Sequence, residues 1–121
     1  MSQYNFFTAQ LRFAVSKTER TTAVIDEQMN VLSSIADDVD RCGRFSVDAN
    51  HVRIGARALA GVAGFLQQHI LPEVIAARNI IGEKQVRWTI DTCMSLMAAM
   101  MVHAETTSDQ EAIELALPDA P

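Results

Sequence analysis

The sequence predicts an all-α fold: an up-and-down helical bundle with a long N-terminal helix and a polar C-terminal tail. Three observations carry this. From Tyr4 to Cys42 the chain has no glycine or proline. There, residues alternately three and four apart (Tyr4, Phe7, Leu11, Ala14, Thr18, Thr21, Ile25, Gln28, Leu32, Ile35, Val39, Cys42) form a heptad-like seam. A second stretch, ending near Leu71, is apolar on two faces. No Asn-Gly or Asp-Gly turn stands between alternating apolar runs, so hairpin signals are weak.

The first region ends at Cys42, because Gly43 can adopt the left-handed conformation that closes a helix. It reads in two ways. One continuous helix of about 40 residues would be some 60 Å long. The alternative is a break near residues 16–22, where Ser16-Lys-Thr-Glu19 has the capping-box pattern and Thr18, Thr21 and Thr22 are poor helix formers. The continuous helix would outrun the bundle and leave aromatic side chains bare, which implies dimerisation.

Gly43-Arg44-Phe45-Ser46-Val47 reads as a short connection, and Asp48 as an N-cap. The central helix follows, with Val52, Ala56, Leu59, Ala63, Leu66 and Ile70 on one face and Ile54, Ala58, Gly61 and Phe65 on another. A helical glycine costs about 1 kcal/mol against alanine, so Gly61 and Gly64 suggest close approach of a neighbouring backbone. Pro72 suits a first helical turn, so a break at Leu71-Pro72 and a short helix over 73–81 are expected. The last main helix is expected over 83–104, with Val86, Ile90, Cys93, Met97, Met100 and Met101 inward. Residues 1–104 are thus the bundle domain. Residues 105–121 are an acidic tail, frayed or holding one short helix begun by the capping box Ser108-Asp-Gln-Glu111.

Composition narrows the function. The chain of 121 residues is 49% apolar and 21% charged, the balance of a globular domain. Its net charge of -5 argues against a surface built for nucleic acid. The N-terminal residues lack a signal-peptide pattern, and no apolar run is long enough to span a bilayer. A cytoplasmic location is expected, with Cys42 and Cys93 as buried free thiols.

No reaction-bearing motif appears. Phosphate loops, nucleophile elbows and Cys-x-x-Cys pairs are missing, as are the Glu-x-x-His pairs of a di-iron bundle. His69 and Glu73 have a two-ligand helical spacing, but Pro72 lies between them and no second pair completes a site. Neither a catalytic residue nor a metal or cofactor is assigned. The acidic cluster Asp37, Asp38 and Asp40 reads as a solvated face, and histidines as helix-end groups.

Three binding features remain. Tyr4, Phe6, Phe7, Leu11 and Phe13 do not share one face and are expected to form an interface in a two-fold homodimer. Arg53 and Arg57, four apart, could contact an anion, although pairing with acidic neighbours is the plainer reading. Met94, Met97 and Met101 could line a pocket for an apolar ligand. The expected function is a non-enzymatic interaction or adaptor module that homodimerises and binds a protein partner. The alternative is a small apolar-ligand-binding bundle with a methionine-lined pocket.

Overall fold

A computed structural model describes residues 3–106 and 111–121. It is an α-helical bundle carrying one small antiparallel sheet. The capping box at Ser108 falls largely outside the described residues.

The N-terminal region is two helices, α1 (Asn5–Lys17) and α2 (Ala23–Cys42). The continuous helix is therefore not formed, and the threonines are the reason. The Thr18 hydroxyl donates to the Ala14 carbonyl at 2.7 Å as α1 ends. Thr22 then takes an extended conformation and accepts a hydrogen bond from the Ile25 amide at 3.2 Å, capping α2. The box expected at Ser16 is not used, since the Ser16 hydroxyl donates back to the Phe13 carbonyl at 2.7 Å. The fold-back lays α1 on α2 and turns Tyr4 and Phe7 inward.

Gly43 closes α2 as expected, at φ 73°, its amide bonded to the Val39 carbonyl at 2.8 Å. The following segment is not a loop but a strand, β1 (Arg44–Val47). Asp48 then caps a single 3-10 turn, Ala49–His51, through the Asn50 amide.

The central helix α3 (Val52–Phe65) continues through a π-helical turn, Leu66–Ile70, into α4 (Leu71–Ala76). Pro72 explains the widening. Proline has no amide hydrogen, and its ring crowds the carbonyl four residues back. The ladder relaxes so that the Leu71 amide bonds the Leu66 carbonyl, five residues behind. The helix is widened there rather than broken. It stops at a turn where Arg78 takes a left-handed φ of 54°.

The last helix, α5 (Ile80–Thr106), is about 40 Å long. The tail then returns as a second strand, β2 (Ile113–Ala116), antiparallel to β1 with Phe45 opposite Leu115 and Val47 opposite Ile113. The short helix expected in the tail is thus replaced, in its described part, by a strand. Ile113 and Leu117 are buried. The Trp88 indole donates to the Asp119 carbonyl at 3.1 Å, and the Tyr4 hydroxyl to the Leu117 carbonyl at 3.2 Å. Across the two strands Arg44 pairs with Glu114 at 2.7 Å.

The core runs through all of these elements. Phe7, Leu11, Leu32, Ile35, Leu59, Leu66, Phe45 and Met100 are fully buried. Of the glycines in α3, the tightly packed one is Gly55, not Gly61 or Gly64. A Cβ at Gly55 would stand 2.7 Å from the Met100 methyl and 3.2 Å from Val31, whereas at Gly61 or Gly64 it would meet nothing within 4 Å. The backbone contact expected at those two glycines is therefore absent. Among the described residues, no helix is long and apolar enough to cross a membrane.

Candidate functional site

The predicted interface residues separate into two groups. Tyr4, Phe7 and Leu11 are inside the chain's own core. Tyr4 stacks on Trp88 with ring centroids 6.2 Å apart, and Phe7 meets the same indole edge-on at 6.1 Å. They cannot form an exposed patch, because the fold-back gives them intramolecular partners. Phe6 is half-buried, and Phe13 keeps 39% of its surface in solvent.

Arg53 and Arg57 do not act as a pair. The Arg53 guanidinium reaches the Ala104 carbonyl at 3.4 Å, near the C-terminal end of α5, where a cation meets the negative end of the helix dipole. Arg57 is exposed and has no hydrogen-bond or ion-pair partner among the described residues. The methionines also diverge. Met94 is exposed, Met97 and Met101 are half-buried, and Met100 is in the core.

Two of the concave sites formed by the described residues bear on function. The first, of about 230 Å³, is lined by Glu27, Asn30, Val31, Ser34, Ser46, Val47, Asp48 and His51. His51 Nδ1 stands 2.7 Å from Asp48 Oδ1. A carboxylate on Nδ1 orients an imidazole as in a nucleophile triad. Among the described residues, however, no serine hydroxyl is hydrogen-bonded to Nε2. The pair is also open to solvent, His51 at 39% and Asp48 at 64% of their side-chain surface. Its visible work is to close the turn that starts α3.

The second is an apolar groove of about 280 Å³ between the end of α1, the start of α2 and the second half of α3. Met29, Leu32, Ala58 and Val62 form its buried floor. Ala14, Ile25 and Phe65 are half-buried walls, and Gly61 opens one side. Phe65 touches Phe13 with centroids 6.0 Å apart, and Lys17 Nζ lies 5.5 Å from the Phe13 centroid. Lys17 and Arg57 are the groove's two charged residues, and both are cations. The apolar groove is thus walled by Met29 and not by Met94, Met97 or Met101. Sequence reasoning missed it because Gly61 was assigned to a packed contact.

A third surface is convex. On α4, the turn and the start of α5, Ile75, Ile80 and Ile81 are 45%, 72% and 72% exposed. The turn beneath them is well defined. The Ala77, Arg78 and Asn79 amides bond the Glu73, Ile75 and Val74 carbonyls at 2.9–3.0 Å, and the Asn79 side chain caps the Gly82 amide at 2.9 Å.

Metal chemistry gains no site from the fold. His69 turns to Phe65, with ring centroids 5.3 Å apart, and no cluster of three or more His, Cys, Asp or Glu is assembled among the described residues. Both cysteines are free, but only Cys93 is buried, while Cys42 is exposed at the end of α2. Comparison with known proteins adds no kinship: no family model, curated protein or solved structure matches the chain.

Proposed function

We propose that this chain is a non-enzymatic interaction module of the cytoplasm, acting through homodimerisation and the binding of a protein partner. The observation that supports this reading is the isoleucine turn. Isoleucines 75, 80 and 81 are displayed on hydrogen-bonded backbone, not on a frayed end. Large apolar side chains held out in this way are characteristic of contact surfaces. Of the N-terminal interface candidates, Tyr4, Phe7 and Leu11 are buried in the chain's own core.

The charges around the turn suit self-association. The side chains of Arg78 and Glu73 have no partner among the described residues. A two-fold axis through the isoleucines can set Arg78 of one protomer against Glu73 of its partner. Isologous contacts of this kind are the commonest route to a soluble dimer.

Light scattering at tens of micromolar tests the reading. A mass twice that of the chain is expected. A monomer across that range contradicts homodimerisation and leaves the turn to a different protein.

A further inference from the structure

We propose that the groove between α1, α2 and α3 binds a medium-chain aliphatic carboxylate, its tail on the apolar floor and its head drawn to the groove's cations, Lys17 and Arg57. This site is separate from the isoleucine turn and does not rest on the interaction reading.

The first argument is shape. The groove extends along α3 from Arg57 to Phe65, about 12 Å at 1.5 Å per residue. Its volume of about 280 Å³ is just below the roughly 300 Å³ at which sites for drug-sized molecules begin. A docked helix, about 10 Å across, would need several times that volume over the same length. A single flexible alkyl chain fits both dimensions.

The second argument is the helix backbone. Gly61 carries the conformational cost of a helical glycine with no packing return inside the molecule, since a Cβ there would meet nothing within 4 Å. Its missing side chain deepens the groove. Larger residues flank it on both sides of the α3 stripe at Arg57, Val62 and Phe65, so the opening is local.

The third argument is charge. The chain carries a net charge of -5, and Arg12, Arg20, Arg41, Arg44 and Arg87 are each paired with an Asp or Glu. The groove's two cations belong to the other five of the ten Lys and Arg residues, which have no such partner among the described residues. Arg57 has no partner among the described residues, and Lys17 is held over the Phe13 ring instead of a carboxylate. Two cations with no carboxylate partner among the described residues, beside an apolar floor, complement a ligand with an anionic head and an apolar tail. A neutral or cationic amphiphile would leave them unanswered.

The test uses the full chain with decanoate, 1-decanol and decyltrimethylammonium as probes, followed by calorimetry and amide chemical shifts. Decanoate should bind saturably, one per chain, moving the amides of Ala58, Val62 and Phe65. Decanol should bind about tenfold more weakly and the ammonium amphiphile not measurably, as expected for loss of a charge-assisted contact. Arg57→Gln with Lys17→Gln should bring decanoate down to the decanol level. Gly61→Leu, whose side chain would occupy the groove, should abolish binding while circular dichroism stays helical. Ile80→Asp with Ile81→Asp should leave decanoate binding unchanged. Equal binding of decanoate and decanol would overturn the proposal. So would undiminished binding to a folded Gly61→Leu protein, shifts that map away from the groove, or no saturable binding.

Discussion

Gly61→Ala should raise the stability of this protein, and the size of the gain follows from two terms. Alanine in a helix interior is favoured over glycine by about 0.8–1 kcal/mol. The packing term is close to zero, because the added Cβ would meet no heavy atom within 4 Å. For a chain of this length, about 1 kcal/mol corresponds to a rise in Tm of about 4 °C. Gly55→Ala in the same helix provides the control. There the new methyl would press on the Met100 methyl at 2.7 Å and on Val31 at 3.2 Å. Met100 is fully buried, so it has little room to yield. Val31 and the flexible end of Met100 must shift to admit it, and that overpacking offsets the propensity gain. In thermal melts followed by circular dichroism, Gly61→Ala should therefore gain more than Gly55→Ala. A lower Tm for Gly61→Ala would refute the open face of α3, and a gain for Gly55→Ala as large as that for Gly61→Ala would refute the close contact of Gly55 with Met100 and Val31.

Other consequences follow from burial and charge. Leu11→Ala should cost about 2–5 kcal/mol in urea unfolding, because its side chain is fully buried in the chain's own core. If Leu11→Ala instead left stability unchanged and altered only oligomeric mass, α1 would not be folded back. A thiol reagent should label one cysteine per native chain, Cys42, since burial pushes the Cys93 thiol up to about 12; labelling of Cys93 before unfolding would show a looser core. Stability should fall as pH drops below the ordinary aspartate value. Burial raises the Asp40 carboxyl, but hydrogen bonds from Thr8 at 2.8 Å and Arg12 at 2.6 Å outweigh it and hold it below that value. A depressed carboxylate stabilises above its unfolded pKa and loses that contribution as pH falls through its folded one. Asp40→Asn should flatten the acid side of the stability profile, and an unchanged profile would remove Asp40 from the account.

What the sequence made legible was local. The seam through Ile25, Leu32, Ile35 and Val39 gave α2, and Gly43 gave its end, because both depend on residues within a turn or two of each other. The threonines marked the α1–α2 break, although the cap proved to be Thr22 rather than Ser16. The sheet was hidden because its pairing is distant: Phe45 meets Leu115, seventy residues away. Its alternating signals, Phe45 with Val47 and Ile113 with Leu115 and Leu117, are each too short to stand alone. The groove was hidden for a different reason. A glycine in a helix has the same sequence signature whether it faces a packed neighbour, as Gly55 does, or open space, as Gly61 does. The isoleucine turn was hidden because Ile80 and Ile81 read as the last residues of a short helix, whereas the left-handed Arg78 places the turn ahead of them.

The measurement closest to the central claim is sedimentation equilibrium of the wild-type chain beside Ile80→Asp with Ile81→Asp. The wild-type chain should be a dimer and the variant a monomer with the same helical spectrum and melting behaviour, because these side chains are largely outside the core. A folded variant that remains dimeric, or a wild-type chain that is monomeric at tens of micromolar, would contradict it.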